Sequence, residues 1–519
     1  MTLPFSLADW LVIGAYLLLL LAGGWIFTPR STATAHDYFL AGGNVPAWLA
    51  AISVLSATQS AATFLGGPDY GYRGDLTYLS GNIGALLGAV FVAHVMIPRF
   101  YAIEATTAYE LLTRRFSIRA TRWAGGMFLI GRIFAGGARV YLAAIALAMV
   151  ITGTVEASGI MIAAALLIVA SVLFTFVGGL RSVLWNDLIQ FVVYLGSALA
   201  VVVFLRLSIP ASTAEIVAGL AHTPEGVDKL RLFDFSIDPS RPFSMLAVVT
   251  GLALLYIANA GMDQDTTQRL LACEDARTGA RGLYLSVFAT VPVVAVFILI
   301  GLLLYVFYDR PDLMRGAGAV AGNRFGGEKI SIFMHYILTQ LPGGLRGLVT
   351  IGICAAAVAT TNSALNAMSS VLVQDFYRPW RERRGTVAER HYVQAGRAGM
   401  GVIGVAMLAM AVVSYYWQRH SGMGLLEFAL QVMVFTYAGL LGVYFTALFT
   451  TRGTTGSVIA ALLIGFVAVV VLQPAVAEAL ALPLALRSLS FPFQLCLAAA
   501  IAFAVCAAPS GTAARPATR

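Results

Sequence analysis

The sequence predicts an all-α, polytopic membrane protein, and three observations predict it. Of 519 residues, 59% are hydrophobic and 11% charged, where soluble chains carry about 25% charged residues. Mean hydropathy is +0.83. Apolar runs of about 20 residues, the length that crosses a hydrocarbon core, recur from end to end. Lipid offers the backbone no hydrogen-bond partner, so spans are helices or a closed barrel, and long runs without period-two alternation exclude the barrel.

Gly, Pro and Arg punctuation divides the chain into thirteen spans, near 7–27, 46–67, 78–98, 123–152, 157–177, 182–205, 243–266, 282–308, 344–372, 398–417, 424–449, 455–473 and 490–508. The first carries Asp9 and lacks a basic leader, which favours a retained span over a cleaved signal peptide. The second holds Ser53, Ser56, Thr58, Gln59, Ser60 and Thr63 at mid-membrane, and Gly66-Gly67-Pro68 is expected to break its outer end. Asn82 stands in the third span. In the fourth, Arg132 and Arg139 are seven residues apart and share a helix face. Asp187 opens the sixth. Tyr256 and Asn259 lie mid-membrane in the seventh, with Asp263 and Asp265 expected to form interfacial salt bridges before Arg269. The ninth gathers Thr360, Thr361, Asn362, Ser363 and Asn366, with Ala356, Thr360 and Ser363 on one stripe. Gln431, Thr436 and Tyr437 are polar positions of the eleventh.

The formal charge of +8 does not point to nucleic acid, because most basic residues are arginines in short loops between spans. The richest clusters, Arg99 to Arg122, Arg269 to Arg281 and Arg378 to Arg397, fall on one side of a thirteen-span chain, and the positive-inside rule makes that side cytoplasmic. The N-terminus is then outside, the tail 509–519 inside, and the loops 207–242 and 309–343 external. No segment is long enough for a separate soluble core, so the chain is expected to be a single transmembrane domain over 1–519. The four cysteines suggest no disulfide framework, and there is no HExxH, P-loop or Rossmann fingerprint, hence no enzyme chemistry.

A repeat of five spans enters the membrane the opposite way round the second time, as an inverted-repeat transporter requires. The repeats would cover 46–206 and 243–449, after one extra N-terminal helix and before two C-terminal ones at 455–508. The first span of each would be interrupted and form the site. For the hydroxyls of the second and ninth spans the readings are cation or substrate contact, or close helix packing. Asp187 either faces a partner such as Arg181 or offers hard oxygens to a monovalent cation. The two buried guanidiniums either bind a substrate carboxylate or phosphate or pair internally with Asp187, Asp263 or Asp265.

The pieces DYFLAGG, SATQSAATFLGGPDYGY, WNDLIQ, QRLL and TTNSALNAMSSVLVQDFY resemble the sodium/solute symporter family over nearly the whole chain. The resemblance implies a LeuT-like five-plus-five inverted-repeat core and solute uptake driven by sodium. It implies a main sodium site from the carbonyls of Ser56, Gln59 and Ala356 and the hydroxyl of Thr360, with Ala359 where the family has a second hydroxyl. It implies a second sodium site in some members at Asp187, Asn362 and Ser363. Substrate positions carried over are Thr58, Ser60, Thr63 and Asn82, with Tyr256 and Asn259 nearby. In the sialic-acid branch an arginine of the fourth span holds the carboxylate, and Ala135 occupies that position here, with Arg132 and Arg139 a turn to either side.

The expectation is therefore a sodium-coupled symporter of the inner membrane, importing a small polar organic solute by alternating access. An organic anion, a sugar acid such as sialic acid or a monocarboxylate, is slightly ahead of a neutral sugar moved with sodium or protons. A membrane solute sensor is the alternative of a different class. The partners expected are substrate, sodium and lipid, with no nucleic acid and no obligate protein partner.

Overall fold

The computed structural model describes residues 5–27, 35–152, 156–316, 332–385, 387–421 and 424–508. The expected tail at 509–519 and part of the 309–343 loop lie outside these. Among the described residues the architecture is helical, with one isolated bridge between Val45 and Cys273. In chain order the main helices are α1 (Leu7–Phe27), α2 (Ala47–Thr58), α3 (Ala61–Arg73), α4 (Thr77–Ala102), α5 (Ile118–Thr152), α6 (Ala157–Thr175) and α7 (Gly179–Ser208). There follow α8 (Met245–Gly261), α9 (Gln264–Leu271), α10 (Ala276–Asp309), α11 (Leu345–Glu382), α12 (Glu389–His420), α13 (Leu425–Phe449), α14 (Thr455–Val471) and α15 (Phe491–Ala507).

Eight of these helices are long and apolar enough to cross a membrane, and two bent pairs, α2 with α3 and α8 with α9, bring that number to ten. Leu7–Leu20 of α1, α14 and α15 are shorter apolar helices. Each apolar run found in the sequence lies on one of these elements. The helical run from Ala157 to Ser208 is kinked at Gly179, the first residue of α7, at φ 59°. That angle suits glycine, and a side chain there would also collide with Tyr38.

The break in the second span corrects the sequence expectation. The chain bends by 66° between Thr58 and Ala61, not at Gly66-Gly67-Pro68, which continue the helix to Arg73. Those glycines are used for packing: a Cβ at Gly67 would stand 2.8 Å from the Phe297 Cβ, so α3 and α10 approach backbone to backbone. The polar run around Gln59 is the weaker helix segment, because Ser60 takes an extended conformation and its side chain caps α3 by accepting from the Ala62 N–H at 3.2 Å.

The longest packing seam joins the α6–α7 segment to α11, and α1 lies against both. Helices α13, α14 and α15 form a mutually packed group, and α5 packs on α12 and α13. The arginine-rich segments meet at one end: Arg122 donates to the Asp375 carbonyl at 3.2 Å, Ala108 N–H to Gln264 at 2.8 Å, and Tyr101 to the carbonyls of Leu270 and Cys273 at 2.9 Å. At the other end the 207–242 loop clasps the end of α3, with Lys229 donating to the carbonyls of Tyr72 at 2.8 Å and Gly74 at 3.0 Å. A cation at a helix C-terminus suits both the free carbonyls and the helix dipole.

Candidate functional site

Two broken helices organise the interior. Where α2 stops at Thr58 its last carbonyls lose their following amides, and Gln59 continues in an extended conformation. Where α8 stops at Gly261, the chain turns by 54° and Asp263 caps α9 by accepting from the Asp265 N–H at 3.0 Å.

A cavity lies between the two breaks. It is lined by Thr58, Gln59, Ser60, Thr63, Asn82, Arg139, Tyr256 and Asn259, so seven of the eight positions expected to contact substrate are brought together, along with Gln59. Tyr78, Thr266, Ser286, Thr290 and Met433 complete its polar and sulfur-bearing wall. The sequence reading missed these; the signal available was the i, i+4 spacing of Ser286 and Thr290 in an otherwise apolar span. Among the described residues two acceptors on this wall are left without a protein partner, Gln59 Oε1 and Asn82 Oδ1. Leu426 lines both this cavity and a second one at the 207–242 end, whose wall carries Asp69, Arg73, Asp75, Arg231, Asp234 and Arg241.

The structure separates the two arginines that the sequence left equivalent. Arg132 lines a different, small cavity beside Ala135 and pairs with Asp263 at 3.2 Å and with Asp265. Arg139 faces the main cavity. Its Nη2 lies 3.6 Å from Met433 Sδ, and among the described residues no carboxylate is in ion-pair distance of it. Helical periodicity could not divide them, since the difference is made by which partners α9 presents.

The expected interfacial salt bridges of Asp263 and Asp265 are corrected likewise. Both are 1% exposed, because the break buries α9 against α11, α10 and α2, with Arg132 reaching in from α5. They belong to a continuous polar network: Asn259 donates to Tyr437 at 3.3 Å, Tyr437 to Asp263 at 2.6 Å, Arg132 bridges Asp263 and Asp265, and Arg269 reaches Asp265 at 2.7 Å. Arg269 then contacts Asp187, Ser53 and Ser363. Arg181, weighed as the partner of Asp187, is exposed instead.

The residues expected at the main cation site are all buried. Ser56 and Gln59 stand at the α2 break, and Ala356 and Thr360 one turn apart on α11, against which both α2 and α3 pack. The Thr360 hydroxyl donates back to the Ala356 and Ala357 carbonyls at 3.0 and 3.1 Å, leaving its lone pairs directed outward. Carbonyl and hydroxyl oxygens on a broken helix are a suitable donor set for a hard monovalent cation. The buried methyl of Ala359 adds no ligand.

The model of the sodium:solute symporter family matches residues 38–465. The chain belongs to that family. Sodium is accordingly its coupling ion, and its relatives are transporters rather than enzymes. This symporter is 26% identical over 474 residues to the sodium/sialic acid symporter SiaT of Proteus mirabilis, covering 90% of this chain and 89% of the relative. It is 27% identical over 457 residues to the human sodium/iodide cotransporter, covering 86% and 67%. A substrate-bound, outward-open structure of a sodium-coupled sialic acid symporter superposes with a TM-score of 0.78 at 23% identity, covering 97% of both chains, so the symporter shares that fold.

Proposed function

We propose that this symporter imports a sugar acid together with sodium, and that Arg139 receives the carboxylate. The observation that carries the reading is a half-buried guanidinium that faces the cavity without an acidic partner among the described residues. A cation so placed favours an anionic ligand able to form charge-assisted hydrogen bonds. The unpartnered acceptors Gln59 and Asn82 favour hydroxyl or amide N–H donors on the same molecule. A simple monocarboxylate offers at most one such donor, as lactate does, and a neutral sugar lacks the charge. Likeness to a sialic acid symporter supports the same choice.

In this reading Thr58, Ser60, Thr63, Tyr256 and Asn259 complete the substrate wall, and Ser56, Gln59, Ala356 and Thr360 hold the cotransported sodium. The three shorter apolar helices cross the bilayer too, giving thirteen spans in one domain, with inverted repeats at 46–206 and 243–449. The arginine-rich end is cytoplasmic, so the N-terminus is outside, the C-terminus inside, and the protein resides in the inner membrane without an obligate protein partner. Solute enters from the 207–242 end past Leu426. Rocking of the broken-helix bundle against the rest then opens the opposite side.

The test is thermal stability of the purified protein in sodium or potassium at equal ionic strength, with N-acetylneuraminate, gluconate, lactate or glucose added. A ligand of the folded state raises its stability. Stabilisation by the sugar acids in sodium alone is expected. Stabilisation by glucose and by neither sugar acid would overturn the proposal.

A further inference from the structure

The cluster that resemblance assigns to a second sodium is filled by the protein's own cation. Arg269 is fully buried. Its Nε donates to Ser53 Oγ at 2.7 Å, its Nη2 pairs with Asp187 Oδ2 at 3.3 Å and donates to Ser363 Oγ, and its Nη1 pairs with Asp265 at 2.7 Å. Ser53 in turn donates to the same Asp187 oxygen. Asn362 is committed as well: in the amide orientation that satisfies both ends, its nitrogen donates to the carbonyls of Val358 at 3.2 Å and Ser171 at 3.1 Å. Ala359 has no hydroxyl to contribute. Among the described residues, Asp187 Oδ1 is the oxygen of this cluster left without a protein partner.

We infer that Arg269 is a tethered cation that takes the place of a second sodium, so that the symporter couples transport to the single sodium held by Ser56, Gln59, Ala356 and Thr360. A hard cation gathers a shell of oxygens, about six to eight for calcium, and here one free oxygen adjoins a fixed positive charge, which repels a second cation. Arg269 also ties this cluster to the cavity through Asp265, Arg132, Asp263 and Tyr437, making it a positioning residue for α9. If the solute is a monoanion, a consequence that rests on the proposed substrate class, one sodium and one solute cross without net charge.

The test is a count of radiosodium bound at equilibrium to the purified full-length protein, without organic solute, so that it stands apart from the substrate assignment. One saturable sodium per wild-type chain is expected, bound about tenfold more weakly in Thr360→Ala. Arg269→Gln frees Asp187, Ser53 and Ser363 and is expected to gain a second bound sodium, which Asp187→Asn added to it removes. Two saturable sodiums per wild-type chain, or a single one that Asp187→Asn abolishes and Thr360→Ala leaves intact, would overturn the inference. The wild-type count decides even if Arg269→Gln fails to fold. One bound sodium with no response to any sugar acid would leave this inference standing and remove the substrate assignment instead.

Discussion

Replacing Arg139 by glutamine removes the charge and keeps most of the side chain's length. Because no described carboxylate pairs with Arg139, the substrate's carboxylate is its main compensating anion. Removing one partner of a desolvated, hydrogen-bonded charge pair costs about 2–4 kcal/mol, or roughly 30- to 900-fold in Kd. The assay is calorimetric titration with N-acetylneuraminate and with its methyl ester, in sodium. Arg139→Gln is expected to lose affinity for the acid by that factor and to bind the ester about as weakly as the wild type does. The unliganded protein should keep its stability, since no ion pair is broken. Arg132→Gln is the informative contrast: it takes the counter-charge from buried Asp263 and leaves Asp265 to Arg269 alone, and should destabilise the fold by about 3–5 kcal/mol. If Arg139→Gln binds the acid within about threefold of wild type, the carboxylate is held elsewhere and the reasoning fails.

At the sodium site, Ala359→Ser adds an oxygen ligand and is expected to lower the sodium concentration for half-maximal uptake, whereas Thr360→Ala raises it about tenfold, the equivalent of about 1.4 kcal/mol; equal sodium dependence in both variants would contradict the assigned ligands. Asp9 accepts from the N–H groups of Gly344 at 2.8 Å and Gly347 at 2.6 Å, tying α1 to the start of α11. Asp9→Ala leaves those donors unsatisfied and should cost about 1–3 kcal/mol, measurable as a lower melting temperature in detergent. Gly301→Ala drives a methyl to 2.6 Å from the Tyr72 nitrogen, so it should cost about 1–3 kcal/mol by overpacking. Gly14→Ala, with open space around it, should be near neutral in the same assay.

Hydropathy and the positions of charges were enough to expose the helical class and the placement of apolar segments, because a backbone in lipid has few alternatives to a helix. The polar residues clustered in the second, seventh and ninth spans were legible for the same reason: a hydroxyl or amide at mid-membrane requires a partner, and a sequence cannot hide that requirement. What the linear pattern could not supply was the partner. Gly66-Gly67-Pro68 has the composition of a helix break, yet Gly66 packs against Leu426 and Gly67 against Phe297, since the nearness of α13 and α10 decides whether a glycine marks a bend or a close approach. Arg132 and Arg139 are equivalent by period and differ only in whether α9 delivers a carboxylate to them. Asp263 and Asp265 read as interfacial from their place at the end of an apolar run, and the 54° bend buries them instead. Arg269, read from the sequence as a topology-setting charge, sits on Asp187 from 82 residues away in the chain. Local physics therefore determined which residues had to be satisfied, and tertiary structure decided by what, because the low dielectric of the interior gives the choice of counter-ion to whichever helix brings one within reach.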